Sequence, residues 1–421
     1  MSSQLTELGG SPKVRKPLWR RIVKWTFCVA AVMVVMNHVA WGVSNAVTAK
    51  EVEAEIAKLR AAGQPVTFAD WKKTFLPVAE ANDAAPFYKA ALALYQKSAW
   101  NNKVEDLLDR LQSLTTQPAT SPAPSDAEIK EVLVANAAVL EQIDLGSSRP
   151  QCAYDFDLSQ EAIDVVLPKM TAWRALAKLT QIRTIWLARQ GQVNEAVSSL
   201  VSSFRLLRIA DRWPTLVVSL VKVGGEALYV NAIPAILEAG PLSDPQLAAI
   251  ESTLAQADPT VGMERIWAIE RVYVLENQYE YTSYSMVVQE LQTYRQCMEA
   301  AHRGWPKAFD LTQHITSDHP ITSTFMLFGR TAGRVRSAEV AVMVERYRLA
   351  KGQLPVSLQE LRDFVGHELP ADPFTGKDLI YKVRGKGFMV YSVGDDKTDD
   401  GGPVQSPRKD WGLAVRWGPG K

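Results

Sequence analysis

The sequence has little of the chemistry that most catalytic and metal-binding sites use. Its 421 residues include only five histidines and three cysteines, one of which is Cys28. No two cysteines are separated by two residues, which excludes a CxxC zinc or redox motif. GxSxG, GxGxxG, Walker A and HExxH sequences are also missing. We therefore expect no hydrolase triad, nucleotide-binding loop or zinc centre, and we assign no catalytic or cofactor-binding residue.

The charge balance excludes a further class of function. Lysine and arginine together number 47 and aspartate and glutamate 46, which gives a net charge of +1. Proteins that bind nucleic acid through its phosphates carry a marked excess of positive charge. We therefore expect no nucleic-acid partner. The length and the hydrophobic content of 47% suffice for two or three domains with buried cores.

An apolar segment near the N-terminus follows a basic stretch. The apolar run from Trp25 to Val43 would span roughly 28 Å as a helix, close to the thickness of the hydrocarbon core of a membrane. Trp25 and Trp41 lie near its ends, where tryptophan favours the membrane interface. The basic residues before it are Lys13, Arg15, Lys16, Arg20, Arg21 and Lys24. This pattern predicts a cytoplasmic tail over residues 1–21 and a transmembrane segment over residues 22–43, with the bulk of the chain outside the cytoplasm.

Two interpretations of this segment are open. In the first, it stays in place as a single-pass anchor in a bacterial inner membrane. In the second, it is a signal sequence that is removed, because the small residues of Ser44–Val47 are those that a signal peptidase prefers. Asn37 and His38 interrupt the apolar run, and polar side chains are costly at membrane depth. Both interpretations leave everything after about residue 47 outside the cytoplasm.

Helical periodicity dominates residues 48–330. Apolar positions recur every three or four residues in two successive helices, with Gly191 in the tight turn between them. These positions are Ala172, Leu176, Leu179, Ile182 and Trp186 in the first helix, and Ala196, Leu200 and Phe204 in the second. No second copy of this hairpin follows, so we predict an irregular α–α hairpin body rather than a regular solenoid. Residues 115–127 are rich in Pro, Ser and Thr and predict a linker-like loop, with Asp126 as the cap of the next helix.

The C-terminal part, residues 337–417, has a different pattern. A helix is expected to begin at about Ser337, and three short strands follow it. The strands are Leu379–Val383, Phe388–Ser392 and Leu413–Trp417, with a four-residue loop between the first two. They predict a small α+β domain with a three-stranded antiparallel sheet. The fold class is therefore mainly α, with an N-terminal membrane helix, a helical body and this small domain.

Three motifs in residues 337–417 resemble the globular domain of type II secretion major pseudopilins. In that family a helix ends in a tyrosine and a glycine-bearing turn followed by proline, a DPW-G motif enters a short sheet, and an S-x-G-x-D loop binds calcium. The matching residues are Tyr347, Gly352 and Pro355; Asp372, Pro373, Phe374 and Gly376; and Ser392, Gly394 and Asp396. The resemblance covers about a fifth of the chain. It implies the fold of this domain and a calcium ion in its loop.

Other features differ from that family. A pseudopilin begins with a cleavage-site glycine followed by an apolar segment with glutamate at its fifth position, and residues 22–43 contain no glutamate. We therefore do not expect incorporation into a pseudopilus by the usual route. The helical body resembles uncharacterised membrane-anchored bacterial proteins with the same tail, and that resemblance implies no activity.

The loop YSVGDDKTDDGG carries four aspartates in six positions. Calcium takes six to eight oxygen ligands, often several carboxylates and a carbonyl from one loop. The candidate ligands are Val393, Asp395, Asp396, Asp399 and Asp400. The alternative is a solvated turn in which aspartates accept hydrogen bonds from nearby backbone N–H groups.

Two further groups of residues are candidates for specific roles. Cys152 and Cys297 would both lie in an oxidising compartment, where they either form a disulfide or stay as two buried thiols. The helix MERIWAIERVYVLE contains two Glu-Arg sequences, beginning at Glu264 and Glu270. We expect structural ion pairs from them, and acid–base catalysis is the alternative.

These observations predict a membrane-anchored extracytoplasmic protein that is not an enzyme. Its helical body would act in interaction or assembly, with another envelope protein as its partner. One alternative is an extracytoplasmic hydrolase that uses carboxylates of the helical body. A second alternative, an accessory component of an envelope secretion system, rests on the resemblance alone.

Overall fold

Helices make up most of the structure, and three short strands form one antiparallel sheet near the C-terminus. This confirms the predicted mainly α fold with a small sheet at its C-terminal end. The computed structural model describes residues 18–96, 101–116, 124–156, 163–277, 283–313, 320–403 and 409–417.

The helices in chain order are α1 (Leu18–Ala61), α2 (Phe68–Lys73), α3 (Ala85–Gln96), α4 (Asn101–Thr116), α5 (Asp126–Ala135), α6 (Ala137–Ser147), α7 (Ile163–Arg189), α8 (Val193–Leu206), α9 (Leu216–Val230), α10 (Ile233–Ala239), α11 (Asp244–Ala255), α12 (Met263–Glu276), α13 (Tyr284–His302), α14 (Lys307–Thr312), α15 (Pro320–Lys351) and α16 (Leu358–Val365). The strands are β1 (Ile380–Arg384), β2 (Gly387–Ser392) and β3 (Trp411–Arg416). Short 3-10 helices cover Glu80–Asn82 and Leu207–Ala210. The chain divides into two units: Met1–Gln64 with Asn277–Gln289, and Pro65–Glu276 with Glu290–Lys421.

The first unit contains α1, a single helix of 44 residues. It ends at Ala61, just before Gly63, whose φ of 67° lies in the left-handed region that favours glycine. Between Val32 and Val47 its large apolar side chains are more than half exposed, whereas Val52 and Leu59 further along the helix are buried. The exposed side chains are Val32, Met33, Val34, Val35, Met36, Val39, Trp41, Val43 and Val47. In the same unit, the carboxamide oxygen of Asn45 accepts a hydrogen bond from the backbone N–H of Tyr284 (2.9 Å).

The predicted helical hairpin forms the centre of the second unit. Helices α7 and α8 pack against each other across a turn at Gly191, which has a φ of 71°. Of the predicted inward positions, Leu176, Leu179 and Ile182 are fully buried, whereas Trp186 near the end of α7 is partly exposed. Leu200 on α8 is fully buried as well. This hairpin lies in one continuous hydrophobic core that extends to the sheet.

The sheet has the order β1–β2–β3 and is antiparallel throughout. The predicted four-residue loop between the first two strands is wrong. Arg384 pairs with Gly387, so the turn consists of Gly385 and Lys386 alone. Gly385 has a φ of 57°, the conformation that tight hairpin turns require. All six residues of β2 are buried, as expected for the central strand.

Helix α15 differs from the prediction at its start. It begins at Pro320 rather than near Ser337, and it ends as predicted before Gly352. It packs on β2 and β3 and also on α9 and α11. Residues 337–417 therefore belong to the same unit as the helices of residues 65–276.

The predicted linker-like loop is bounded by two helices. Helix α4 runs to Thr116 and α5 begins at Asp126, and residues 117–123 lie outside the described part of the chain. The cap of α5 is Ser125 rather than the predicted Asp126. Its hydroxyl oxygen accepts the N–H of Glu128 while the Glu128 carboxylate accepts the N–H of Ser125, which forms a capping box.

Candidate functional site

Three aspartates of the predicted calcium loop bind cationic side chains. Asp395 accepts two hydrogen bonds from the Arg330 guanidinium, at 2.8 and 3.0 Å. Burial opposes ionisation of Asp395, but the arginine outweighs it and the pKa of Asp395 is lowered. Asp396 pairs with Lys409 at 3.1 Å. Since Arg330 and Lys409 lie far apart in the chain, these two neighbouring carboxylates serve separate contacts.

Asp399 ties the loop to the sheet. Its carboxylate accepts hydrogen bonds from the ammonium of Lys382 (2.8 Å), the hydroxyl of Tyr391 (2.7 Å) and the N–H of Gly401 (2.9 Å). Burial by itself would raise the pKa of Asp399. The three donors have the larger, opposite effect, so the pKa is lowered overall. The segment therefore covers the face of the sheet on which Lys382 and Tyr391 lie.

The remaining predicted ligands, Asp400 and Val393, and the nearby Asp410 have other surroundings. The buried carboxylate of Asp410 accepts the N–H groups of Gly402 (2.7 Å) and Asp400 (3.4 Å). Burial raises the pKa of Asp410, and the charges of Asp399 and Asp400 add to the effect. One oxygen of Asp400, Oδ2, is buried without a hydrogen-bond partner. The N–H of Val393 donates to the carboxylate of Asp372 (2.9 Å).

Three of the five predicted ligands are thus paired with cationic side chains. Within the described residues, no group of three or more His, Cys, Asp or Glu side chains is arranged to hold a metal ion. Calcium binding stays a prediction. The observed ion pairs correspond to the alternative of a polar turn, with the added finding that the turn is bonded to α15 and to the sheet.

The predicted disulfide is absent from the structure. Cys152 and Cys297 are free and buried, and they belong to two different hydrophobic clusters. Burial raises the pKa of both thiols to about 12. The alternative of two buried thiols is therefore the one observed.

The Glu-Arg sequences of α12 serve structural contacts. Glu270 accepts the N–H of Leu216, the first residue of α9, at 2.7 Å, and burial raises its pKa. Arg265 lies over the ring of Trp71, 6.0 Å from its centroid, and donates to the Asp211 carbonyl at 3.4 Å.

A buried carboxyl group in α9 was not predicted from the sequence. Glu226 is 1% exposed, and its Oε2 atom has no hydrogen-bond partner. Burial raises its pKa to about 8, although Lys222 one turn earlier lowers it and Asp258 and Asp211 raise it further. Glu226 is the one acidic residue of α9, a helix made mostly of apolar residues. That isolation is the sequence signal that could have identified it.

A second carboxyl group with a raised pKa lies on α15. Burial raises the pKa of Glu339 to about 7, and the charges of Glu251 and Asp258 add to the shift. Asp258 itself binds Arg336 at 2.8 Å. The buried Glu345 on the same helix is instead held by Arg348 through contacts of 2.6 and 2.7 Å. The charge of Asp258 thus contributes to the raised pKa of both Glu226 and Glu339.

A groove of about 620 Å³ lies along α5, α6 and the end of α7. Val134 and Leu145 in its wall are 66% and 42% exposed, and Leu133 and Leu140 form a buried floor. Trp186 closes one side. Its indole N–H is buried and has no hydrogen-bond partner in the structure. The centre of the groove is therefore apolar.

Charged groups stand at the rim of this groove. Lys130 and Glu141 are exposed there. Asp144 is held by Arg183 through two contacts of 2.8 Å. Its charge is therefore compensated within the protein, whereas Glu141 offers an exposed carboxylate to a partner.

Comparison of the chain with models of protein families, with curated proteins and with solved structures finds no match. The resemblance of residues 337–417 to pseudopilins therefore stays a prediction.

The apolar helices were also assessed as membrane spans. In the described part of the chain, Leu216–Ala239 alone is long and apolar enough to cross a membrane. Half of its apolar window is buried inside the protein, and the core helix of a soluble protein meets the same criterion. The side chains of α1 are described at Ala30 and from Val32 on, so residues 22–29 and 31 of the predicted span lie outside them.

Proposed function

We propose that this protein is a single-pass, membrane-anchored extracytoplasmic protein of a bacterial inner membrane that binds another envelope protein. Helix α1 would be the anchor, with residues 1–21 in the cytoplasm. The helical second unit would carry the binding surface. No chemical reaction is part of this proposal.

The exposure of α1 is the observation that carries the proposal. Nine large apolar side chains between Val32 and Val47 are more than half exposed, and they point to all sides of the helix. A helix that is apolar all round is stable in a protein core or in a bilayer, and water disfavours it. The basic residues before it supply the orientation, because positive charge is retained in the cytoplasm. A cleaved signal sequence is the alternative for the same residues.

The groove on α5 and α6 is the binding surface that we propose. An apolar segment of an envelope protein would fill the space between Val134 and Leu145. A cationic side chain of the same segment would face Glu141. The fit is to a protein segment, because an apolar floor with charged groups at its rim offers little to a highly polar ligand.

Photo-crosslinking tests this surface. A photoreactive phenylalanine replaces Val134 in the full-length chain, and irradiation of intact cells captures what lies in the groove. Val356, a valine that is 84% exposed elsewhere on the second unit, is the matched control position. We expect a discrete adduct from position 134 that position 356 does not give, and that Leu145→Asp and Glu141→Lys both diminish. Identical adducts from both positions, or no effect of the two substitutions, would contradict the groove as the binding surface.

A hydrolase is the second candidate, and Glu226 is the observation that favours it. A carboxyl group that stays protonated near neutral pH is a typical general acid. Glu226 is however 1% exposed, so a substrate would need an opening between α9 and α15. Loss of a hydrolytic activity of the purified protein in Glu226→Gln, with retained folding, would favour this candidate. The alternative of an accessory role in an envelope secretion system is supported only by the resemblance of residues 337–417 to pseudopilins.

A further inference from the structure

An apolar loop of the second unit is exposed to solvent. It follows α2, has the sequence LPVA over residues 76–79, and ends at the 3-10 helix Glu80–Asn82. The Leu76 side chain is 78% exposed, and two of the other three residues are exposed as well. The base of the loop is fixed, because the ring of Phe75 packs edge-on against that of Trp213 at 5.5 Å. A contiguous exposed apolar segment with a polar rim is typical of an interaction site.

Arginines hold this loop at both ends. Arg212 lies over the ring of Phe75, 5.0 Å from its centroid, and donates a hydrogen bond to the carbonyl oxygen of Leu76 (3.2 Å). Arg149 donates to the carbonyl oxygen of Ala81 (2.6 Å). The Nε atom of Arg149 is buried and has no hydrogen-bond partner among the residues that the structure describes. Both guanidinium groups are therefore fixed beside the loop, and each has N–H groups left for a ligand.

Two further arginines continue the same surface. Arg208 donates to the carbonyl oxygens of Arg149 (2.8 Å) and Pro150 (2.6 Å). Arg205 donates to the carbonyl oxygen of Ser147 (2.9 Å), the last residue of α6. The four arginines at positions 149, 205, 208 and 212 thus follow one stretch of surface from the end of α6 to the apolar loop. We call this stretch the arginine surface.

The positive charge of the arginine surface is not offset by a bound carboxylate. The acceptors of all four guanidinium groups are backbone carbonyls, and in the described part of the chain no carboxylate lies within ion-pair distance of them. Neighbouring acids have other contacts: Asp83 with the N–H groups of Ala85 and Ala153, Asp155 with the indole N–H of Trp213, and Asp211 with Lys222. Glu80 is exposed at the end of the loop. The surface therefore attracts anions that come from outside the chain.

This combination of features fits a bilayer that contains anionic lipids. Guanidinium groups bind phosphate oxygens through paired N–H donors. An exposed leucine beside them is stabilised at the boundary between headgroups and acyl chains, whereas a small free anion leaves it in water. The proposed anchor ends at residue 43, so a segment of about 33 residues links the membrane to Leu76. Such a tether keeps a lipid surface at high effective concentration.

We propose that the apolar loop and the arginine surface bind the membrane that holds the anchor. Leu76 enters the headgroup region, and the four guanidinium groups bind lipid phosphates. The second unit is then attached to the bilayer at a second place besides α1. This inference rests on the proposed membrane anchor.

Fluorescence of the full-length chain in vesicles tests this contact. Leu76→Cys carries an environment-sensitive fluorophore in a Cys28→Ser background, and Val356→Cys, at a position that is 84% exposed elsewhere on the second unit, is the matched control. Cys152 and Cys297 are buried and do not react. We expect a blue shift and quenching by brominated lipid at position 76 when phosphatidylglycerol is added to phosphatidylcholine, and no change at position 356. Salt at 0.5 M should reverse the shift, because it screens the attraction.

Charge variants separate lipid binding from a structural role of the arginines. Arg205→Gln with Arg212→Gln should lower the ratio of bound to unbound loop about 10-fold or more. The same positions changed to lysine keep the charge and should retain most of the binding. Arg384→Gln with Lys386→Gln removes two exposed charges at the β1–β2 turn and should have no effect. Equal loss of binding in the glutamine and lysine variants would overturn the proposed role.

Extraction of the same vesicles with alkaline carbonate separates this inference from the anchor itself. A chain that stays with the vesicles but gives the same emission at position 76 with and without phosphatidylglycerol overturns the surface contact and leaves the anchor intact. Equal shifts at positions 76 and 356 overturn it as well. A chain that carbonate removes from the vesicles overturns both.

Discussion

At the scale of single residues, Glu226 combines burial with an oxygen atom that has no hydrogen-bond donor. Its pKa is raised from 4.5 to about 8, chiefly by burial. Between these two values the folded chain holds a proton that the unfolded chain has released. The protein therefore loses stability as the pH rises from about 4.5 to about 8, and the loss is complete above that range.

Glu226→Gln keeps the shape of the side chain and removes this pH dependence. We expect the variant to match the wild type near pH 4.5 and to exceed it at pH 8.5 by about 2–4 kcal/mol in the free energy of unfolding. Urea unfolding of both proteins over this pH range provides the measurement. Glu141→Gln, at an exposed position, is the control for removal of a carboxyl group. A difference between Glu226→Gln and the wild type that is constant with pH would contradict the assignment.

Asp372 is the residue that joins the turn after α16 to the aspartate loop. Its two carboxylate oxygens accept N–H groups of Phe374 (2.8 Å), Thr375 (3.1 Å) and Val393 (2.9 Å), and the side chain is 1% exposed. Asp372→Ala should lower the free energy of unfolding by about 3 kcal/mol or more, because three donors lose a charged acceptor. Asp363→Ala at an exposed position of α16 should change it by less than about 1 kcal/mol. Equal effects of the two substitutions in urea unfolding would refute this role.

At the scale of elements, α15 approaches the sheet and the turn before it at two glycines. A Cβ atom at Gly329 would lie 2.7 Å from the Phe374 ring and 2.8 Å from Trp305, and one at Gly333 would lie 2.9 Å from the Cβ of Ser392. Gly224 on α9 has open space around it. These glycines lie in helices, so Gly→Ala favours the helix wherever the space allows the methyl group.

Gly329→Ala and Gly224→Ala should therefore have opposite effects on thermal stability. We expect Gly224→Ala to stabilise the protein by roughly 0.5–1 kcal/mol. Gly329→Ala should destabilise it by about 1–3 kcal/mol, because the ring of Phe374 must move. Calorimetric melting of the two variants and the wild type gives the comparison. A stabilised Gly329→Ala variant would show that α15 does not approach the turn this closely.

The aspartate loop provides a test at the same scale. Arg330, Lys382 and Lys409 already occupy the carboxylates that calcium would need, so we expect millimolar calcium to shift the melting temperature no more than magnesium does. Differential scanning calorimetry with each ion in turn measures the effect. A rise that calcium alone produces, and that Asp400→Asn abolishes, would restore the calcium site implied by the resemblance.

Local signals predicted the elements well and their boundaries less well. The hairpin of α7 and α8 followed from the spacing of Leu176, Leu179 and Ile182, because a helix that buries one stripe repeats every three to four residues. The start of α15 was placed 17 residues too late, at Ser337 rather than Pro320. Gly329 and Gly333, which lie in the part of the helix that was missed, are contact points in the structure. Whether a glycine marks the end of a helix or a contact point within it depends on the element that packs against it.

The candidate sites depended on tertiary structure and were less predictable. Burial of Glu226 results from the packing of α9 against α15, and one sequence does not reveal that packing. The groove around Val134 exists because α5, α6 and α7 leave a space between them. Similarly, Cys152 and Cys297 lie in separate hydrophobic clusters. Their separation in the sequence could not show this, because a disulfide depends on the distance between the two residues in space.

At the scale of the whole molecule, the proposed function requires that the chain remain bound to a membrane through α1. The nine exposed apolar side chains of this helix would be stabilised by lipid, which is the surrounding that the proposed function gives them. Removal of residues 22–43 should then release the rest of the chain as a folded protein, because the second unit has its own continuous hydrophobic core.

Protease protection of spheroplasts, followed by carbonate extraction, is the most direct test of this claim. We predict that the full-length chain stays in the membrane pellet and that protease added from outside degrades the second unit while residues 1–21 remain protected. The same chain without residues 22–43 should leave the pellet. Release of the full-length chain by carbonate, or complete protection of the second unit in intact spheroplasts, would contradict the account.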